Sequence, residues 1–281
     1  MKLFTLPNLL TAMNLMSGVM AIVCALAGRI DVAPWLLLLA ALFDFLDGLI
    51  ARKMNLMGEL GKQLDSLADM VSFGLAPGIV MLVVLVLSIH GDGPFYINDF
   101  ASNTHYELQN WINAVFYGVP NSMEDSLVYL PFVALIIPFF SMFRLAKFNI
   151  DERQSTSFVG IPTPLNTIFF MFFPLVLTTE FSEIQLAPQQ YNWFLNSALI
   201  CILIVIMSYL LIAEIPLISI KFKHFGWRGN EVRYIFLLSS ALLIFTLFVW
   251  SIPLIVFLYI IVSLVEQQLK KKKKNEIQSG N

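Results

Sequence analysis

Charge is scarce in this chain of 281 residues: Asp, Glu, Lys and Arg make up 13% of it, where soluble domains carry about 25%. Cysteine is scarcer still. Its two residues, Cys24 and Cys201, both lie inside apolar runs, which leaves neither a disulfide framework nor a zinc cluster. An excess of basic charge is missing as well, the formal net charge being −2, and this argues against a nucleic-acid partner. No internal repeat is visible. What fills the chain instead is apolar: 58% of the residues are hydrophobic, the opposite of a disordered composition. The length then reads as one membrane bundle without a separate soluble domain.

Apolar stretches of about 20 residues are needed to cross the hydrocarbon core. Eight are legible, at 8–28, 33–53, 66–88, 126–147, 163–181, 191–213, 232–250 and 252–267. The last two are parted only by Ser251-Ile252-Pro253, and a single kinked helix there would reduce the count to seven. Such a helix would overshoot the bilayer. The run 8–28 exceeds a signal-peptide core of about 7–15 residues and carries Asn8, Thr11, Asn14 and Ser17, so it reads as a span despite Ala25-Leu26-Ala27. The expected fold is an all-α integral membrane protein, a polytopic bundle of about eight transmembrane helices over residues 1–267. A basic cytoplasmic tail follows at 268–281.

Basic residues set the orientation. Lys2, then Arg52, Lys53 and Lys62, then Arg144, Lys147 and Arg153, then Lys221, Lys223, Arg228 and Arg233, and finally Lys270 to Lys274 fall at alternate connections. Arg29 alone falls on the other side. The positive-inside rule therefore places both termini and these connections in the cytoplasm of a cell-membrane protein. The long loop at about 89–125 has no Lys or Arg. It carries Asp92, Asp99, Glu107, Glu124 and Asp125, with aromatics including Phe95, Tyr96, Trp111, Phe116 and Tyr117 that suit a lipid interface. A passive surface loop is the plainer reading. The Lys270–Lys274 run reads as a topology determinant, with attraction to anionic membrane lipids as its sharper use.

The informative stretch runs from Asp44 to Asp69. On a helix, Asp47 lies about 60° from Asp44, Gly48 about 40° and Ala51 about 20°, so two carboxylates and two small residues share one face. Asp69 lies about 40° from Asp65 on the next helix. Both pairs flank the same short cytoplasmic connection. Four carboxylates aimed at one partly dehydrated place repel one another, and cation binding is the simplest relief. Two metals holding phosphate oxygens would fit. Gly48 and Ala51 open that face, and Arg52 is close enough to reach a phosphate. A proton or ion path in a transporter, and structural pairing with Arg52, Lys53 and Lys62, remain alternatives from spacing alone.

At these residues the chain closely resembles the CDP-alcohol phosphatidyltransferase family, whose motif is D-x-x-D-G-x-x-A-R, eight residues, then G-x-x-x-D-x-x-x-D. Asp44, Asp47, Gly48, Ala51, Arg52, Gly61, Asp65 and Asp69 match every fixed position. Three further stretches are similar to the serine-using, membrane-embedded branch of that family. They are Asn8-Leu9-Leu10-Thr11 with Asn14, the run from Ser66 to Pro77, and Phe143 to Asn149 followed by Gly160-Ile161-Pro162-Thr163-Pro164. Gly58 departs from the Ser or Thr usual there, and the 89–125 loop is longer than in a compact relative.

The resemblance implies that an alcohol attacks the phosphorus bearing diacylglycerol in CDP-diacylglycerol, CMP leaving, with L-serine as the acceptor. Other acceptors of the family, such as glycerol phosphate, are the alternative. It implies that Asp44, Asp47, Asp65 and Asp69 hold divalent metal, Mg²⁺ or Mn²⁺, as two ions, with Asp69 also the base. Gly48, Ala51, Arg52, Gly61, Asn8 and Thr11 would meet CDP-diacylglycerol. Arg144 and Lys147 would meet the acceptor carboxylate and Asn149 would orient it. Glu214 reads as a structural span-end acid. A homodimer is the family's usual assembly.

Overall fold

A computed structural model of the chain describes residues 3–89, 100–118, 127–150, 158–179, 194–217, 226–227 and 230–279. Lys2, Arg153, Lys221, Lys223, Arg228, Asp92, Phe95, Tyr96, Asp99, Glu124 and Asp125 lie outside the described residues, as do the side chains of Lys270 to Lys274.

The first helix, α1 (Leu6–Leu26), begins at Thr5, whose hydroxyl accepts from the Asn8 amide at 3.4 Å, with Pro7 in its first turn. Its buried residues are Pro7, Thr11, Asn14, Ser17, Gly18, Ala21 and Ala25, which lie along one helical stripe. The large side chains Leu9, Met13, Met16, Met20 and Val23 are exposed. This is the membrane pattern: small and polar residues pack on protein, and large apolar ones face lipid. Helix α2 (Ala33–Lys53) repeats it with Ala33, Leu37, Ala40 and Asp47 buried and Trp35, Leu42 and Phe45 exposed. The two helices pack along their length.

Helix α3 (Glu59–Asp69) passes through a π-helical turn (Met70–Leu75) into α4 (Ala76–Ile89) without a break. α4 is apolar on every side, and its residues from Val80 to Leu87 are all buried. A helix apolar all round belongs at the centre of a bundle, and α4 touches helices on several sides. α7 (Thr163–Thr179) is the second central helix, with Phe169 to Leu177 buried. Its rings pack edge to face on one another and on Phe194 and Trp250, at centroid distances of 5.3 to 5.6 Å.

The long loop contains a helix, α5 (Phe100–Tyr117). It buries Thr104, Leu108 and Trp111 against the bundle, and the Trp111 indole donates to the Val128 carbonyl at 2.7 Å. Trp111 is thus a packing residue, whereas Phe116 and Tyr117 are exposed as an interfacial role requires. The helical period of 104, 108 and 111 replaces the passive loop. Arg29, the basic residue on the unexpected side, is held bidentately by Asp31 at 2.8 to 3.2 Å.

A 3₁₀ turn (Leu130–Leu135) leads into α6 (Ile136–Ile150), and α8 (Ser197–Ile212) packs beside α6. Two-residue strands, β1 (Phe158–Val159) and β2 (Pro216–Leu217), pair antiparallel at the ends of these helices. Between β1 and α7, Gly160 takes φ +78°, and a Cβ there would fall 2.6 Å from the Leu211 carbonyl oxygen. At Phe248 (φ 48°) the chain turns from α9 (Glu231–Leu247) towards α10 (Ser251–Ser279). The Phe236 and Tyr259 rings stand 5.7 Å apart, so the two helices fold back on each other rather than form one kinked rod. α10 continues through the lysine run to Ser279.

Among the described residues, five stretches are long and apolar enough to cross a membrane: Leu6–Leu26, Ala33–Lys53, Glu59–Ile89, Leu130–Ile150 and Glu231–Gln268, the last of which contains both α9 and the apolar part of α10. Thr163–Thr179 and Ser197–Ile212 are shorter apolar helices. The chain is an all-α, multi-pass membrane protein.

The close approach of α1 to the π-helical turn predicts its own sensitivity. A Cβ on Gly18 would meet the Ser72 Cα at 2.6 Å, where neither backbone can give way easily. Gly18→Ala should therefore destabilise the protein by about 1–3 kcal/mol, read as a lower thermal midpoint in detergent. An unchanged or raised midpoint contradicts this packing.

Candidate metal centre

The aspartates sit on the protein-facing stripes of their helices. Leu37, Ala40, Asp44, Asp47 and Ala51 follow one another by threes and fours along α2, which carries Asp44 and Asp47 into the bundle with the buried small residues. Asp47 is 6% exposed and Asp69 9% exposed, and Asp44 and Asp65 are half-buried. Asp44, Asp47 and Asp65 each offer an oxygen, and these three atoms all lie within 4.8 Å of one another. Asp69 stands beside this set, near enough to feel the charge of all three.

Helix α1 supplies the donors. The Thr11 hydroxyl is shared between Asp47 Oδ2 and the Pro7 carbonyl, and the Asn14 amide donates to Asp69 Oδ1 at 3.1 Å. Carboxylates this close repel unless a cation lies among them. An all-oxygen donor set in a polar niche fits a hard divalent cation. Thr11 and Asn14 orient the carboxylates from outside, as supporting hydrogen bonds do in metal sites.

The other anticipated residues gather at the same end of the bundle. Gly48 is open: the one side-chain atom near the place its Cβ would occupy is Arg52 Nη2, at 3.9 Å. Arg52 is exposed and Ala51 half-buried. Asn8 Oδ1 lies 3.7 Å from the Cβ position of Gly61, and Asn8 Nδ2 donates to the Leu3 carbonyl. The start of α1 thus lies over the start of α3. Nothing stands within 4 Å of a Cβ on Gly58.

α6 reaches this end too. Asn149 Nδ2 donates to Ser66 Oγ at 2.8 Å, and Lys62 Nζ donates to the Asn149 carbonyl at 2.8 Å. Asn149 therefore sits against the residue next to Asp65. Arg144 is buried at 3% exposure, its Nε donating to the Ile161 carbonyl at 3.2 Å and its guanidinium lying over the Phe148 ring. Lys147 Nζ meets Glu214 Oε1 at 3.2 Å, so the span-end acid is the partner of a lysine.

Two features had no clear signal in the sequence. The π-helical turn after Asp69 is one, and such turns often mark functional sites. Its local composition, Met70-Val71-Ser72-Phe73-Gly74-Leu75, does not announce it. The other is the bond from Asn14 to Asp69, which needs α1 and α3 side by side; a polar residue inside a span was its only trace.

The sequence profile of the CDP-alcohol phosphatidyltransferase family matches residues 4–98, a stretch that contains all four aspartates. The CDP-diacylglycerol–serine O-phosphatidyltransferase of Bacillus subtilis is 26% identical over 230 residues, 80% of this chain and 94% of its own length. The archaetidylserine synthase of Methanothermobacter thermautotrophicus is 30% identical over 65% of this chain and 62% of its own length. A CDP-diacylglycerol–serine O-phosphatidyltransferase of Helicobacter pylori is 30% identical over 58% of this chain and 54% of its own length. The chain thus spans nearly all of the first relative and somewhat over half of the other two.

Thr11 gives the direct test of the supporting hydrogen bonds. Thr11→Val keeps the shape and removes the donor to Asp47, so Mn²⁺ affinity measured calorimetrically should fall about tenfold or more. An affinity equal to that of the parent protein means that α1 does not tune the carboxylates.

Proposed function

We propose that the chain is a member of the CDP-alcohol phosphatidyltransferase family and transfers the phosphatidyl group of CDP-diacylglycerol to L-serine, releasing CMP and forming phosphatidylserine. The observation that carries this reading is the convergence of Asp44, Asp47 and Asp65 oxygens within 4.8 Å on two adjacent helices. Relatives named for serine as acceptor, one of them covering 80% of the chain, support the choice of alcohol.

In this reading Asp44, Asp47, Asp65 and Asp69 hold Mg²⁺ or Mn²⁺, as two ions, whose positive charge would neutralise the diphosphate and the departing CMP. The chain's own groups do the rest. Gly48 leaves room for the nucleotide to lie against α2, and Arg52, reaching back over Gly48, offers its guanidinium to a phosphate. Ala51, Gly61 and Asn8 complete that side, while Thr11 acts through Asp47.

Asn14 occupies Asp69 Oδ1, which leaves Oδ2 to accept the hydroxyl proton of serine. The serine oxygen then bonds to the phosphorus bearing diacylglycerol. The bond from that phosphorus to the oxygen of CMP breaks, and its electron pair leaves with CMP.

Lys62, Arg52 and Lys147 at this end of the bundle support a cytoplasmic site. There, soluble serine and a lipid-anchored nucleotide meet. Lys147 and Asn149 at the same end support a part in acceptor binding. A homodimer belongs to the same reading.

Purified protein given CDP-diacylglycerol and Mn²⁺ should release CMP with serine, and not with glycerol 3-phosphate or inositol phosphate. Asp69→Asn should lower turnover by at least about 10²-fold while lipid-nucleotide binding persists. Metal-dependent CMP release with none of the three alcohols sinks the transferase reading.

A further inference from the structure

Some buried polar groups of this protein have no use in the mechanism above. Among the described residues, Asn166 on α7 is the one side chain with both polar atoms buried and without a hydrogen-bond partner; it is 0% exposed. An amide in such a place is costly unless something else completes it. Ser141 on α6 and Ser208 on α8 are also 0% exposed, with hydroxyls that bond to nothing in the chain. Several helical hydroxyls elsewhere in the bundle behave differently, although Ser240 on α9 is likewise buried without a partner. Ser72, Ser239 and Ser263 each donate to the carbonyl one turn back, the usual way for a helix to satisfy a buried hydroxyl.

One of these side chains, Ser141, lies against the π-helical turn that follows Asp69, and so does the neighbour of another. Thr167, next to Asn166, donates to the Phe73 carbonyl at 3.0 Å. Ser141 Cβ lies 3.1 Å from the position a Cβ on Gly74 would take. Ser141 and the residue beside Asn166 thus approach residues 74 and 73 from two different helices, one turn beyond Asp69. Ser208 lies on α8, which packs on α6 and whose Leu210 carbonyl accepts from the Ile161 amide at 3.1 Å. Arg144, one turn from Ser141 on the buried stripe of α6, donates to the carbonyl of that same Ile161.

We propose that Asn166, together with Ser141 and Ser208, seats the amino-acid end of the acceptor and makes Asn166 a specificity-determining residue for serine. This rests on the transferase reading. A zwitterionic amino acid needs acceptors for its ammonium group and donors for its carboxylate. The Asn166 amide offers one of each, at Oδ1 and Nδ2, and each hydroxyl can act either way. A phosphorylated alcohol would call for cations alone. Burial sharpens the choice, because an acceptor that leaves these groups unpaired is penalised. Arg144 supplies positive charge on the carboxylate side. The hydroxyl end of serine is then left to point at Asp69.

Asn166→Leu separates this role from a structural one, since leucine is close to asparagine in size and removes the buried polar atoms. In the full-length protein in lipid nanodiscs, the KM for serine should rise about tenfold or more. The KM for CDP-diacylglycerol should stay the same, and the thermal midpoint should hold or rise. Ser141→Ala and Ser208→Ala should each raise the serine KM by a smaller factor. A serine KM unchanged in Asn166→Leu, with the parent enzyme active, overturns the proposal. So does a lowered midpoint with both KM values raised together, which marks a packing residue. Should the parent protein make no phosphatidylserine, the transferase reading fails first, and L-serine is added to both proteins in a thermal-shift assay. Stabilisation of the parent alone then sustains the role of Asn166 in holding serine; stabilisation of neither overturns it.

Discussion

Carboxylates can be kept inside this bundle because α1 comes close enough to give them hydrogen bonds. Thr11 reaches Asp47 and Asn14 reaches Asp69, and one turn further on Gly18 lets the backbones of α1 and the π-helical turn nearly touch. The three residues lie on one stripe. A larger residue at Gly18 would lever the helices apart and stretch the bond from Asn14 as well. Close approach and polar support are therefore one constraint. It explains why the buried face of a membrane helix is here made of Thr, Asn, Ser, Gly and Ala.

The bundle separates rigidity from chemistry. α4 and the aromatic half of α7 fill the centre with interlocked side chains and carry no charge. Polar groups sit at one end, where α1, α2 and α3 meet, and where α6, α7 and α8 converge around Ile161. A packed apolar core holds both clusters in register without spending any of their hydrogen-bonding capacity. The π-helical turn joins the two regions, with Asp69 on one side and the contacts to Ser141 and Thr167 on the other.

The stretch matched by the family profile ends at residue 98, so it contains the aspartates and none of α6, α7 or α8. In the proposed reading the metal-assisted phosphoryl transfer belongs to that first part, and the features proposed to choose the alcohol lie beyond it. This division is physically reasonable, since the lipid nucleotide is common to such enzymes while the acceptor differs. It also accounts for the unequal resolution of the sequence reading, which is sharp for Asp44 to Asp69 and looser for Arg144, Lys147 and Asn149. Near α6, ordinary basic residues serve topology and binding alike, and spacing does not tell the uses apart. The structure gives both charges protein partners, Ile161 and Glu214, which no local pattern foretells.

By itself the sequence determined the class of protein, the helical stretches, and the face shared by Asp44, Asp47, Gly48 and Ala51, because hydropathy and helical period are local properties. The return of α9 on α10 was foreshadowed by a proline and a length argument, and the helix within the long loop was missed because its apolar residues are interrupted by Asn103, Glu107, Gln109 and Asn110 and form no long run. Only the tertiary structure decided that Asn14 serves Asp69, that the helix continues through a π turn beside the site, and that Asn166 is buried with nothing to bond. Each of these depends on which helices become neighbours. That choice is made by the packing of small residues across distant segments, and it leaves no periodic trace in any one of them.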